Sequence, residues 1–103
     1  MKTKKYSIEN IREDLKEIRY YYTNKTELLD AEKYLSPNAL VQKIELYKTL
    51  IKFAPINLYY VYYCLYILGQ TQECCSYKLH YTIEYIQKLN HKLLEYFHKF
   101  LSI

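Results

Sequence analysis

The residues of this 103-residue chain that could support catalysis or metal binding are three histidines and three cysteines. His91 and His98 stand two helical turns apart rather than one, and no histidine accompanies a credible nucleophile or carboxylate cluster. Cys74 and Cys75 are adjacent, which is poor geometry for a mutual disulfide and lacks the CxxC spacing of a zinc site. We therefore predict no enzymatic activity, no metal ion and no cofactor, with reduced thiols in a cytosol.

A second group of chemically useful residues lies on one side of the last predicted helix, which Thr82 caps. Its inward stripe is predicted to comprise Ile86, Leu89, Leu93, Tyr96 or Phe97, and Phe100. The residues that this stripe leaves facing outward include Ile83, Glu84, Gln87, Lys88, His91 and Lys92. Such a face is either an ordinary solvated surface or a contact surface for a partner.

The stretch LYYVYYCLYILG, Leu58 to Gly69, must position this last helix. Tyrosine and valine favour strands, but four apolar residues recur here at helical spacings of three, four and three. They are Leu58, Val61, Leu65 and Leu68. A second stripe, formed by Tyr59, Tyr63 and Tyr66, is interpreted as the edge of a packed core. The alternatives are a surface that stacks bases or binds a partner, including a second copy of the chain as a homodimer.

Glycine and threonine divide this stretch from the helices that follow. Gly69 fits the left-handed position that closes a helix, and Thr71 can cap a new helix that runs to about Leu79. A short turn at His80-Tyr81 then leads to the Thr82 cap. The spacing predicts a helix, a tight turn and a second helix, the arrangement of a helix-turn-helix.

The N-terminal half predicts further helices. Ser7 can cap a first helix that ends at Asn24 and has an apolar stripe of Ile8, Ile11, Leu15, Ile18 and Tyr22. The segment TELLDAEKYL, from Thr26, predicts a short helix, and Ser36-Pro37 starts another that ends at Ala54-Pro55. The core face of that helix is predicted to comprise Leu40, Ile44, Tyr47 and Ile51.

Length and composition indicate one compact domain of a soluble, folded, all-α protein, with one glycine and two prolines in the chain. The formal net charge of +4 is mild for a nucleic-acid binder, so composition alone leaves the partner open. The basic N-terminus lacks an apolar segment and no stretch is apolar enough to span a membrane, so we expect a cytoplasmic protein without a secretion signal.

The segment from Leu58 to Phe100 resembles the fourth conserved region of bacterial sigma factors. Eight residues match the pattern of that region without a gap: Gly69, Thr71, Glu73, Leu79, Thr82, Glu84, Ile86 and Leu89. With its N-terminal half included, the chain looks like the small sigma-region-4-like proteins of phages and prophages of low-GC Gram-positive bacteria. Where the family carries DNA-contacting arginines, this chain has Ile83, Tyr85 and Gln87, and Lys88 replaces a glutamine.

The resemblance implies a sequence-specific regulator of transcription that binds double-stranded DNA, with RNA polymerase or another host protein as a further partner. The implied DNA contacts are Thr71, Thr82, Ile83, Glu84, Gln87, Lys88, His91 and Lys92. Gln87 can pair with adenine, Glu84 can accept from cytosine, and Lys88 can reach a phosphate.

The architecture expected from all of these features is all-α, with four to five helices and a C-terminal helix-turn-helix resembling the fourth region of sigma factors. Residues 1–56 would form an N-terminal helical support region, and residues 57–103 the helix-turn-helix region. The alternative function is a non-catalytic protein-binding module, such as a phage-encoded inhibitor of a host polymerase or defence nuclease. The missing arginines favour this alternative.

Overall fold

A computed structural model describes residues 6–24 and 38–102. These residues form five α-helices and no strand: α1 (Ile8–Thr23), α2 (Asn38–Ile51), α3 (Ile56–Tyr62), α4 (Gln72–Leu79) and α5 (Ile83–Leu101). A π-helical segment, Tyr63–Ile67, continues α3. The prediction of an all-α protein is thus confirmed for the described part of the chain. The short helix predicted from Thr26 and the Ser36-Pro37 helix start lie outside it.

The first helix begins and ends where its sequence signals predict. Ser7 and Asn10 form a reciprocal capping box, in which the Ser7 hydroxyl accepts from the Asn10 amide and the Asn10 side chain accepts from the Ser7 amide. Asn24 closes the helix. The buried residues of α1 are Ile11, Asp14, Leu15 and Ile18, so one apolar stripe faces the core and includes a single carboxylate.

That carboxylate joins α1 to α2. Tyr47 is fully buried and its hydroxyl donates to Asp14 Oδ2 over 2.7 Å. The Lys43 ammonium lies 2.9 Å from Asp14 Oδ1 and 2.7 Å from Glu17 Oε2. Because a buried carboxylate is tolerated only when it is paired, this network explains an aspartate on the core side of an amphipathic helix. We call Asp14 and Glu17 the acidic edge of α1.

The tyrosine-rich stretch is helical, as its apolar spacing predicts. Leu58, Val61 and Leu65 are buried, but the prediction that Leu68 is buried is wrong, since its side chain is 45% exposed. The reason is the π-helical turn, in which the Leu68 amide donates to the carbonyl of Tyr63, five residues back. A wider turn rotates the residues that follow it out of a 3.6-residue register.

Helices α4 and α5 follow with the predicted caps and turn. The amide of Cys74 donates to the Thr71 hydroxyl, and the amide of Tyr85 donates to the Thr82 hydroxyl. His80 takes the left-handed conformation, φ 59°, that ends α4. The buried residues of α5 are Ile86, Leu89, Leu93, Leu94 and Phe97, so the predicted stripe is correct except at Phe100, which is 41% exposed.

One hydrophobic cluster takes residues from all five helices and packs the two halves of the chain together. At its centre the ring of Tyr47 in α2 packs edge-on against Phe97 of α5, with centroids 4.7 Å apart. The Tyr96 hydroxyl donates to the carbonyl of Leu50 over 2.7 Å and ties the same two helices together. The last helix is therefore held along its length, which fixes the direction of its outward face.

Candidate nucleic-acid interface

The sequence-predicted contact residues lie on or just before the first half of α5, with one exception at the start of α4. All eight are exposed: Thr71, Thr82, Ile83, Glu84, Gln87, Lys88, His91 and Lys92. Thr71 and Thr82 use their hydroxyls as helix caps, so each accepts a hydrogen bond from a backbone amide in the first turn of the helix that follows. Of the other six, Glu84, Lys88 and His91 lie opposite the buried stripe of α5, and Gln87 and Lys92 lie on its flanks. Ile83, three residues before the buried Ile86, borders the stripe instead, so its predicted outward position is only partly correct.

The exposed face of α5 has a crest and two flanks. At about 100° per residue, Glu84, Lys88 and His91 fall on one line opposite the core, and this line is the crest. Gln87 lies on the flank nearer to α1, whereas Lys92 lies on the other flank. A crest with carboxylate, ammonium and imidazole groups can both donate and accept hydrogen bonds.

The turn between α4 and α5 is held by contacts that the sequence reasoning did not identify. The Ser76 hydroxyl donates to the carbonyl of Tyr81. The rings of Tyr81 and Tyr85 pack edge-on with centroids 4.9 Å apart, and Asn57 of α3 donates to the Tyr85 hydroxyl. Tyr85 therefore braces α5 against α3.

An open groove runs between α1 and α5 and encloses about 450 Å³. The residues that line it are Glu9, Arg12, Lys16, Arg19, Tyr66, Gln72, Gln87, Asn90, His91 and Leu94. Two of the predicted contact residues, Gln87 and His91, are thus brought together on one wall. Gln72 of α4 lies beside them, where its Oε1 accepts from Gln87 Nε2 over 3.3 Å.

The opposite wall of this groove carries three cations from α1. Arg12, Lys16 and Arg19 recur at spacings of four and three, which places them along one side of the helix. We call these three residues the basic edge of α1. Arg12 also has Glu9 as an ion-pair partner at 3.9 Å, but both side chains are more than half exposed, so this pair is weak. Cations therefore outnumber acids on the wall that faces Gln87 and His91.

The position of the basic edge depends on the only glycine of the chain. Arg19 Nη2 donates to the carbonyl of Gly69 over 3.0 Å. Gly69 has φ 65°, as predicted, and a Cβ atom added there would overlap the Cγ2 methyl of Thr23. Glycine thus serves both the left-handed backbone and the close approach of α1.

The floor of the groove holds a polar pair. The Tyr66 hydroxyl donates to Asn90 Oδ1 over 2.6 Å, which turns the Asn90 amide nitrogen away from it. Burial raises the pKa of the Tyr66 hydroxyl, whereas the positive charges of Arg19 and Arg12 act in the opposite direction. The positive potential of the basic edge therefore reaches the middle of the groove.

The residues considered for catalysis or metal binding are dispersed. His80 lies in the α4–α5 turn, His91 in the groove and His98 near the end of α5. Within residues 6–24 and 38–102, no cluster of three or more histidine, cysteine, aspartate or glutamate side chains is arranged to hold a metal ion. Cys64 and Cys75 are buried, and burial raises the pKa of the Cys75 thiol to about 12.

A smaller cavity of about 250 Å³ lies on the other side of α1, between α2 and α3. It is lined by Tyr22, Lys48, Ile51, Lys52, Tyr59, Tyr62, Tyr63 and Ile67. Of the predicted tyrosine stripe, Tyr59 and Tyr63 lie here with their rings stacked, whereas Tyr66 packs toward α5. The predicted stripe thus divides between two surfaces.

Among the described helices, none combines the length and the apolar character that crossing a membrane would require. The chain matches no protein-family model, and no curated protein and no solved structure matches it either. The site has to be interpreted from its own geometry.

Proposed function

We propose that this protein binds double-stranded DNA as a regulator of transcription, with α5 in the major groove and α4 and α3 bracing it. The proposal includes the finer features that the resemblance implies: a helix-turn-helix of sigma-region-4 type, an origin in a phage, action in the host cytoplasm and no catalysis. RNA polymerase is then a further partner, and self-association is compatible with it.

The observation that carries this proposal is the exposed polar crest and flank on a rigidly held helix, next to a row of cations. A helix of this kind fits the major groove, which admits one α-helix and presents base edges to its side chains. Gln87 can pair with adenine through two hydrogen bonds, Glu84 can accept from cytosine, and Ile83 can contact a thymine methyl group. Lys88 and Lys92 extend far enough to reach phosphates on either side.

The experiment that tests this function is selection of bound duplexes from a random-sequence pool. A sequence reader enriches a motif, and Gln87→Ala then relaxes the preference at one position by about 1–3 kcal/mol. Gln42→Ala, on an exposed position of α2, is the matched control and is expected to keep the motif. A pool that remains random would overturn the proposed sequence-specific function.

The double variant Gln87→Ala/Lys88→Glu provides the second arm. It is expected to abolish duplex binding while the helical circular dichroism and the thermal melting remain those of the wild type, because both side chains are exposed. Unchanged affinity in this variant would remove the assigned face of α5 from the interface.

A protein-binding function is the second candidate, and one observation favours it. Phe53, in the connection between α2 and α3, and Ile56, the first residue of α3, are 81% and 63% exposed. Large exposed apolar side chains are typical of contact sites between proteins. Under this function, binding to purified RNA polymerase would persist in the Lys88→Glu variant and be lost in Phe53→Ser/Ile56→Ser. Loss of polymerase binding in the first variant alone would contradict it.

A further inference from the structure

The basic edge of α1 has the dimensions of a contact with a nucleic-acid backbone. Arg12 and Arg19 are separated by seven residues, which spans about 10 Å at 1.5 Å per residue. Phosphates of one DNA strand rise 3.4 Å apiece along the duplex axis and wind around it, so this length can face about two or three consecutive phosphates. The row therefore offers about one cation for each phosphate.

Contacts with the rest of the fold also fix the position of the basic edge. The hydrogen bond from Arg19 to the Gly69 carbonyl holds one end of the row against the loop that precedes α4. The Arg12 side chain at the other end is 52% exposed and can turn toward a bound anion. Across the groove, Gln87 is held next to Gln72, so both walls are defined.

We propose that the basic edge binds the sugar-phosphate backbone of one strand of the duplex whose major groove receives α5. This inference rests on the proposed function, since α5 determines which strand lies in the groove. The open groove suits an extended polyanion that enters at one end and leaves at the other. Duplex DNA is such a polyanion, and the three cations against one acid on the α1 wall complement its charge.

The arrangement adds phosphate contacts on α1 to those that Lys88 and Lys92 can make from α5. On the wall of the groove that α5 forms, Gln87, Asn90 and Leu94 supply no positive charge. The basic edge supplies it from α1, on the flank where Gln87 would meet a base. Phosphate contacts on α1 then orient α5, and base contacts on α5 select the sequence.

The test compares two double variants that remove the same net charge. Arg12→Gln/Lys16→Gln removes two cations from the basic edge, whereas Lys48→Gln/Lys52→Gln removes two exposed cations from the rim of the tyrosine cavity. Arg19 is left intact because it holds Gly69. The probe is a fluorescein-labelled duplex of mixed sequence, titrated by anisotropy over a range of salt concentrations, and circular dichroism verifies the fold of each variant.

Each phosphate neutralised in a duplex contributes about 0.9 to the slope of log affinity against log salt. The basic-edge variant is therefore expected to lose about 1.8 from this slope and about 60-fold in affinity at 0.1 M salt. The cavity-rim variant should keep the wild-type slope. Equal slopes in all three proteins, or equal losses in both variants, would overturn the assigned backbone contact.

The outcomes separate this inference from the proposed function. If the wild type binds the duplex and Gln87→Ala/Lys88→Glu abolishes binding, but the basic-edge variant keeps the full slope, only the inference fails. If the wild type does not bind duplex DNA at any salt concentration, both fail. If the basic-edge variant has a smaller salt slope than the wild type and the cavity-rim variant keeps the wild-type slope, the inference is supported.

Discussion

The two edges of α1 carry opposite charges and are treated differently by the fold. On the acidic edge, Asp14 receives a hydrogen bond from Tyr47 and an ion pair from Lys43, which also reaches Glu17. On the basic edge, the cations face amides and an imidazole across an open groove. Within residues 6–24 and 38–102, the acidic edge is paired with the partly buried Lys43, whereas the ion pair of the basic edge, Arg12 with Glu9, is exposed and weak.

This difference separates a structural role from a functional one. Charges that are buried and paired with neighbours stabilise the arrangement of α1 and α2, because removal of either partner leaves the other unsatisfied. A row of like charges beside a groove contributes nothing comparable to packing, since its members repel each other. Apart from the bond of Arg19 to the Gly69 carbonyl, the role that we propose for these cations is contact with a DNA backbone along the groove.

Replacement of Asp14 by alanine is expected to have the largest effect on stability. The change leaves the Tyr47 hydroxyl and the Lys43 ammonium without their common acceptor, so the free energy of unfolding should fall by about 2–4 kcal/mol. Urea denaturation followed by circular dichroism measures this loss. Arg12→Gln on the other edge is the control, with a change of less than about 0.5 kcal/mol. Equal losses would remove the distinction between the edges.

Gly69→Ala is expected to have the second-largest effect, lowering the free energy of unfolding by about 2–3 kcal/mol. The left-handed backbone disfavours a Cβ atom by about 1–2 kcal/mol, and the new methyl group overlaps Thr23 Cγ2. Thr23→Ser deletes that methyl group, so the double variant should recover the steric part and retain the backbone part. Thermal melts of Gly69→Ala, Thr23→Ser and the double variant separate the steric part of the loss from the backbone part. A double variant no more stable than Gly69→Ala would show that the close approach of α1 is unimportant.

High pH should weaken the acidic edge through Tyr47. Burial and the bond to Asp14 raise the pKa of its hydroxyl, so the folded chain keeps a proton that the unfolded chain releases near pH 10. The stability that the protonated Tyr47 hydroxyl contributes is therefore complete below pH 10. Above pH 10 the free energy of unfolding falls by up to about 1.4 kcal/mol per pH unit from this group.

The Tyr47→Phe variant isolates this contribution. It should be about 1–1.5 kcal/mol less stable than the wild type at neutral pH, because it lacks the hydrogen bond. Above pH 10 the difference should shrink, since only the wild type must keep this phenol protonated. Urea denaturation at neutral pH and near pH 11 measures both proteins. A difference that stays constant would contradict the assigned titration.

Much of the fold was predictable because capping and apolar spacing are local properties. The caps Ser7, Thr71 and Thr82 and the left-handed Gly69 lie where the sequence predicts. Leu68 was wrongly predicted to be buried because a π-helical turn precedes it. A 3.6-residue apolar spacing contains no signal for such a turn. The aspartate of the core was missed for a similar reason, because its partner is 33 residues away in Tyr47.

The candidate site was predictable on one side only. The outward face of α5 followed from its own periodicity, and the spacing of Arg12, Lys16 and Arg19 was visible in the sequence. That these cations face Gln87 depends on how α1 packs against α5, which no local pattern encodes. The contact between Gln72 and Gln87 likewise joins residues from two helices whose angle is set by a turn.

Among these variants, Lys16→Gln should change the free energy of unfolding least, and it should raise the stability where the others lower it. Lys16 stands between Arg12 and Arg19, and like charges at spacings of three or four destabilise a helix by a few tenths of a kcal/mol per pair. Glu13, three residues before Lys16, offsets one of these two repulsive pairs. Removing Lys16 is therefore expected to raise the free energy of unfolding by about 0.2–0.5 kcal/mol in dilute buffer. In about 1 M salt the gain should vanish, because the screening length falls to about 3 Å. Replicate urea titrations at both salt concentrations can resolve this. If the variant is instead less stable in dilute buffer, Lys16 serves the packing of α1, and the basic edge is structural like the acidic one.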